Sequence, residues 1–265
     1  MPELPEIESL TRELRRAIVG KTITDVHVQQ PKMINLPREE YASRVRGQPV
    51  IDVRRRGKYT VLTLGEGSIW LHLGLGGQVV VQEAEAGKRG AAVSFVFSDG
   101  SELRLERVFM GQAHFLEGAG FDERWNQFGI DPLDQSFTFE HLGKLFASRP
   151  RLPVKSLLTE QSLVAGIGNT YADEILFQAR IHPATPSGSV SQAELRALHQ
   201  AIRTVLAEAI EQGGEPDYIA LAGQPGRYVK RVHRAERCPR CGGEVEKLTL
   251  HGRSTYYCPK CQPAR

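Results

Sequence analysis

Cysteine is scarce in this chain. Only four occur among 265 residues, and all lie between positions 238 and 261. A disulfide framework spread through the whole fold is therefore excluded. No apolar run reaches the length of a membrane-spanning helix, and no apolar signal core opens the sequence. A cytoplasmic protein without a membrane partner is the expectation. The absence of internal repeats and low-complexity segments excludes repeat architectures. What is present suits a globular protein: 40% hydrophobic and 25% charged residues, at a length that makes one large domain or two to three small ones. The net charge is only +3, but it is unevenly spread. Residues 225–265 carry ten Lys/Arg against three Glu, a surplus of +7, which leaves −4 for residues 1–224. Such a basic terminal module fits either a polyanion held at one end or a solvated charged surface.

Hydrophobic spacing divides the chain further. Pro5 to Val19 predicts an amphipathic helix, with Ile7, Leu10, Leu14 and Ile18 on one face and Gly20 as its stop. Strand-like segments follow at 23–28, 50–54, 59–64, 68–72, 78–82, 92–97 and 102–105, with Gly65-Glu66-Gly67 and Asp99-Gly100 as hairpin turns. So many short strands predict a β-sandwich or barrel. Near Asp131-Pro132 the period becomes helical, with helices expected over 139–147, 154–159, 169–178 and 192–212. The last has a Ser191/Glu194 capping box, an apolar face of Leu195, Leu198, Ile202, Val205 and Ile210, and a Gly213-Gly214 end. The expected class is α+β, in segments 1–131, 132–225 and 226–265.

The four cysteines form Cys238-Pro-Arg-Cys241 and Cys258-Pro-Lys-Cys261, with sixteen residues between the pairs. Two such knuckles joined by a hairpin match a tetrahedral zinc site with four cysteine ligands. Two disulfides would need an oxidising compartment, for which no signal peptide speaks, and a redox dithiol would not come as two paired copies. One zinc ion is expected, with a structural role, because four thiolates leave no open coordination position. A module of about forty residues buries little core, so the metal supplies its folding free energy. Arg253 in the intervening hairpin is placed to meet a phosphate.

Two further segments hold candidate chemistry. In Gly166-Ile-Gly168-Asn169, the glycines allow a tight turn with exposed amides, and Asn169 can cap the helix that follows. Such a helix start is either an anion site or an ordinary cap. Lys155 would add positive charge on the same side. At the other end, Met1-Pro2-Glu3-Leu4-Pro5-Glu6 places two carboxylates beside a proline. Pro2 either opens a helix or, once Met1 is removed, presents a secondary amine able to form an iminium with an aldehyde carbon.

These pieces together resemble the formamidopyrimidine-DNA glycosylase / endonuclease VIII family, closest to its formamidopyrimidine branch. Pro2-Glu3-Leu4-Pro5-Glu6 is similar to that family's catalytic N-terminus, and Arg55-Arg56-Gly57-Lys58-Tyr59 to the strand segment with its lysine. His72-Leu73-Gly74-Leu75-Gly76-Gly77 resembles its void-filling loop, Gly166 to Glu174 its helix–two-turn–helix motif, and Gly252 to Gln262 its zinc finger. The resemblance runs through the chain in the family's order. It implies an N-terminal helix plus β-sandwich domain, then a helix–two-turn–helix domain with a C-terminal four-cysteine zinc finger.

The implied activity is base-excision repair: a monomeric bifunctional DNA glycosylase and AP lyase acting on damaged double-stranded DNA, associated with the nucleoid when bound. The implied substrates are oxidised purines such as 8-oxoguanine and formamidopyrimidines. Pro2 would be the nucleophile, Glu3 the proton shuttle and Glu6 a support for the amine. Lys58, His72, Asn169 and Arg253 would hold phosphates around an extruded nucleotide. His72 as a satisfied strand-end residue and Lys58 as a solvated strand residue are the plainer roles.

The sequence also departs from the family. Leu75 stands where a methionine wedge is usual. In Leu105-Glu106-Arg107-Val108-Phe109-Met110, Arg107 and Phe109 match residues that read the orphaned base and wedge the duplex, whereas Glu106, Val108 and Met110 do not match. The segment 215–229, where the damaged base would be read, resembles the family loosely. Preference for oxidised pyrimidines or abasic sites is one alternative, and a catalytically silent damage-binding module is the other.

Overall fold

Helix α1, Leu4–Ile18, buries Leu4, Ile7, Leu10, Leu14 and Ile18, the stripe that the spacing predicts. It starts one residue earlier than expected because Glu3, in extended conformation, takes the N-cap position and Pro5 falls in the first turn. The computed structural model describes residues 1–84, 90–221 and 223–264. By backbone packing these form two units: Met1–Asn126 with Pro216–Gly226, and Gln127–Glu215 with Arg227–Arg265.

In the first unit, β1 (Ile23–Val28), α2 (Arg38–Val45), β2 (Val50–Arg56), β3 (Tyr59–Leu64), β4 (Ser68–His72), β5 (Gln78–Glu83), β6 (Val93–Phe97), β7 (Ser101–Glu106), β8 (Gln112–Leu116) and α3 (Gly118–Asn126) follow α1. The strands make two antiparallel four-stranded sheets, ordered β1-β6-β7-β5 and β2-β3-β4-β8. Both sheets and α1 share one apolar core that includes Leu10, Val26, Val53, Leu62, Phe95 and Leu103. This is the expected sandwich. Sequence reading left out β8, α2 and α3. The first continues β4 through pairs such as Trp70↔His114, and the helices are short, with only Tyr41 and Val45 buried in α2 and nothing buried in α3.

Helix α1 is fastened to the second sheet by polar contacts as well. Thr11 and Thr60 hydroxyls meet at 3.2 Å, and the buried Arg55 pairs with Glu8 at 2.9 Å. Arg56 donates twice to the Trp125 carbonyl, at 3.1 and 3.0 Å. Much of the Arg54-Arg55-Arg56 charge therefore serves the fold.

The second unit contains α4 (Phe139–Ser148), α5 (Val154–Thr159), α6 (Asn169–Ala179), α7 (Gln192–Glu211) and the hairpin β9 (Glu246–Leu250) with β10 (Arg253–Tyr257). Helix α7 carries the expected capping box: Ser191 Oγ accepts the Glu194 N–H and Glu194 accepts the Ser191 N–H. No helix among the described residues is long and apolar enough to cross a membrane.

Candidate active site and nucleic-acid interface

The amine end of the first unit is built by α1. The Glu3 N–H donates to Glu6 Oε2 at 2.8 Å, and both glutamates are buried. Glu6 thus fixes the backbone one residue beyond Pro2, while Pro2 itself is half-buried. Lys58 lies in the two-residue turn between β2 and β3, where Arg56 pairs with Tyr59 and Gly57 adopts a positive φ of 57°. It is buried there, so a solvated strand position is not what the structure shows.

His72 ends β4. Its Nδ1 accepts the Gly74 N–H at 3.2 Å, and its ring packs on Tyr59 at a centroid distance of 4.8 Å. Burial pushes its pKa down to about 4, and the nearby Lys58 ammonium and N-terminal ammonium push the same way. The charges of Lys58 and of the chain terminus therefore both act on His72. A neutral imidazole whose Nδ1 is an acceptor carries its proton on Nε2. His72 can accordingly offer a neutral donor rather than a charge.

Beyond His72, two loops join in a short antiparallel bridge. Leu75 N–H donates to the Phe109 carbonyl at 2.8 Å, and Phe109 N–H returns a bond at 3.3 Å. Gly74 is required here, because a Cβ on it would collide with the Phe109 carbonyl. The bridge presents Leu75, Phe109 and Met110 at 49%, 64% and 73% exposure, with exposed Arg107 beside them. Val108 points inward and is buried. Met110, which held no role in the sequence reading, is the most open of the three. Its φ of 60° turns it outward, a backbone choice with no plain sequence signal.

The second unit carries two more candidate contacts. Asn169 is the first residue of α6, not its cap; Gly168 is the cap residue, in extended conformation and with no side chain to offer. This corrects the expected capping role. Freed from it, Asn169 Oδ1 has no hydrogen-bond partner among the described residues. The turn before it is held by Gln161, which accepts the Gly166 N–H at 2.8 Å and donates to the Ile167 carbonyl at 2.7 Å. Nothing in the sequence singled out Gln161.

Lys155 requires a correction too. Its side chain is 3% exposed and pairs with the fully buried Asp173 at 2.6 Å. It also donates to Thr255 Oγ1 at 2.9 Å and to the Ser254 carbonyl at 3.2 Å. Its charge is used inside the unit, so it is not the free cation expected beside the turn. Asp173 also meets His233 Nδ1 at 2.7 Å and accepts the Tyr256 N–H at 3.1 Å. Next to it, burial pushes the Glu174 carboxyl up, although three backbone N–H groups from Arg231, Val232 and His233 oppose the shift. The signal for this cluster was an adjacent Asp-Glu pair flanked by the apolar runs Tyr171-Ala172 and Ile175-Leu176-Phe177. Its effect is to seat the hairpin whose first β10 residue, the exposed Arg253, follows the His251-Gly252 turn, with φ of 46° and 76°.

The four cysteines converge. Their Sγ atoms all lie within 4.8 Å of one another, with Cys238–Cys261 at 3.8 Å and Cys241–Cys258 at 3.5 Å. A tetrahedral zinc with bonds of about 2.3 Å needs sulfur separations of about 3.8 Å, so the donors fit the ion. None is in a disulfide. Gln262, fully buried, accepts the Cys258 N–H at 3.0 Å and donates to the Ile181 carbonyl at 2.9 Å, bracing the second knuckle. Cys238, Cys241, Cys258 and Cys261 are the ligands of one structural zinc.

Comparison with known proteins agrees with this anatomy. The family model of the formamidopyrimidine-DNA glycosylase N-terminal domain matches residues 1–108, that of the corresponding H2TH domain residues 128–217, and that of the zinc finger found in FPG and IleRS residues 235–264. Proteins named formamidopyrimidine-DNA glycosylase from Shouchella clausii and Geobacillus kaustophilus are each 38% identical to the chain. The alignments cover 99% of this chain with 99% and 100% of those proteins, respectively. Among solved structures, the MutM (Fpg) protein of Thermus thermophilus superposes with a TM-score of 0.86 at 32% identity, over 98% of both chains. A Lactococcus lactis Fpg in complex with DNA containing an abasic site gives 0.88 at 28% identity, over 99% of this chain and 100% of that one. The chain belongs to the formamidopyrimidine-DNA glycosylase family.

Proposed function

We propose that this chain is a base-excision-repair DNA glycosylase with AP lyase activity, which removes oxidised purines from damaged double-stranded DNA. The observation that carries the reading is the amine end of the chain, where the Glu3 N–H is bonded to Glu6 Oε2 and both carboxylates are buried, as is Lys58. Family membership and the DNA complexes of its relatives support the same reading.

Pro2 is the nucleophile, once Met1 has been removed. A terminal amine has a reference pKa of roughly 8, against about 10.4 for lysine, so more of it is unprotonated at neutral pH. It attacks C1′ of the damaged nucleotide, and the base leaves with a proton supplied through Glu3. The C1′–O4′ bond then opens, with a proton passed to O4′ through Glu3, to give an iminium; loss of a C2′ proton breaks the bond to the 3′ oxygen, and loss of the C4′ proton then breaks that to the 5′ oxygen. Glu6 orients the amine end. Lys58, His72, Asn169 and Arg253 bind phosphates, offsetting the few kcal/mol of extruding a nucleotide. Leu75 and Phe109 fill the vacated stack, and Arg107 faces the orphaned base. Segments 1–131, 132–225 and 226–265 serve as the catalytic, helical DNA-binding and zinc-hairpin parts, in that order, except that Pro216–Gly226 belongs with the first unit.

Borohydride trapping tests this. Protein lacking Met1 is expected to form a covalent adduct with duplexes carrying 8-oxoguanine or an abasic site, and Pro2→Gly is expected to form far less. No adduct with 8-oxoguanine, thymine glycol or abasic duplexes would defeat the proposal. An adduct with thymine glycol in preference to 8-oxoguanine would move the substrate to oxidised pyrimidines.

A further inference from the structure

The chain leaves the second unit after Glu215 and returns at Arg227. Both ends of this excursion are pinned: Arg227 N–H donates to the Gln212 carbonyl at 2.8 Å, Tyr228 N–H to Gly214 at 2.9 Å, and Lys230 pairs with Glu215 at 2.7 Å. Between them, residues 216–221 and 223–226 face each other, with Gly226 N–H bonded to the Tyr218 carbonyl at 2.9 Å and Ala220 N–H to the Gln224 carbonyl at 2.9 Å. Ala222 lies outside the described residues. The loop packs on the core of the first unit through Tyr218, Ala220 and Leu221.

Its seat is one face of α1. The Leu221 N–H donates to Glu13 Oε2 at 2.8 Å. Glu13 stands seven residues after Glu6, two helical turns along the same face. Tyr218 is buried against that face: burial pushes its phenol pKa up, and the neighbouring Glu13 and Glu6 carboxylates push it further. The loop thus meets the helix through the polar Leu221–Glu13 bond, while Glu6, farther back along α1, holds the Glu3 N–H next to Pro2.

We infer that Glu13 is a positioning residue for recognition of the damaged base: its carboxylate holds the Leu221 amide and so seats the 216–226 loop on the helix that carries the reactive terminus. The inference rests on the glycosylase reading, in which this loop reads the extruded base. It adds a residue far from the chemistry whose loss separates two activities. Removing a damaged base needs the loop, whereas cleaving an abasic site offers no base to read.

The test compares single-turnover cleavage of duplexes carrying 8-oxoguanine or an abasic site by the full, zinc-loaded chain. Glu13→Ala is expected to slow 8-oxoguanine excision about tenfold, the scale of one charge-assisted hydrogen bond, and to leave abasic-site cleavage within about twofold. Glu13→Gln keeps an oxygen that accepts the same N–H and is expected to restore excision. Amide hydrogen exchange in Glu13→Ala should show lost protection at Leu221 and not in the sheets. Equal slowing on both substrates, no slowing on either, or unchanged exchange at Leu221 would each overturn the inference. Inactivity of the unsubstituted chain on both substrates would instead defeat the glycosylase reading itself.

Discussion

The two units place their candidate site residues by opposite means. The first holds Glu3, Glu6, Lys58 and His72 on or beside regular elements around a large apolar core, so the chemistry rests on hydrophobic burial. The second presents Asn169 and Arg253 at the first residues of α6 and β10, just after short turns, and their positions depend on a zinc ion, the Lys155–Asp173–His233 cluster and one glutamine. A core tolerates small losses spread over many contacts. A metal and a buried ion cluster concentrate stability in few groups, so single changes there cost more.

Zinc removal should sharpen this contrast most. Structural zinc contributes roughly 10–16 kcal/mol in isolated zinc-finger peptides. Chelation, or Cys241→Ser, is therefore expected to unfold the 235–264 module and lower DNA affinity by at least about a hundredfold, while the β-sheet circular dichroism of the first unit persists. Loss of that sheet signal on chelation would break the contrast.

Lys155→Met comes next. It leaves Asp173 buried without its cation, a change that costs about 3–5 kcal/mol, visible as a lower melting temperature of the second unit. Asp173→Asn added to it should recover part of the loss, because no buried charge then remains unpaired. Additive losses would show that the two side chains act separately.

The smallest effect concerns His72. Its folded pKa of about 4 lies below the ordinary value of 6.5. Between those values the unfolded chain binds more protons, so stability rises with pH across the window and is lost as pH falls through it. His72→Gln should flatten that dependence in pH-dependent denaturant melts. An identical slope in the variant would mean that His72 titrates normally in the folded protein.

Much of this anatomy was legible beforehand, for reasons that differ by residue. Period-two and helical spacing located β1, β3, β4 and α1 to within a residue or two, because burial of one face imposes those periods. The cysteine knuckles were legible because metal geometry constrains spacing. Met110, Gln161 and Glu13 were not, since each acts through a turn or a contact with residues distant in sequence. Lys155 misled for a related reason: a lysine near a glycine turn reads as a free charge until its carboxylate partner, eighteen positions away, folds against it.

The amino-acid sequence alone determined seven of the eight sandwich strands, the zinc ligands and the identity of the acid and amine groups at the terminus, all matters of local spacing and residue chemistry. The tertiary structure decided which charges are available. Folding buried Lys155 against Asp173, turned Met110 and Phe109 outward and bonded Leu221 to Glu13 on α1. Availability depends on burial and pairing between distant segments, and one-dimensional spacing does not encode these.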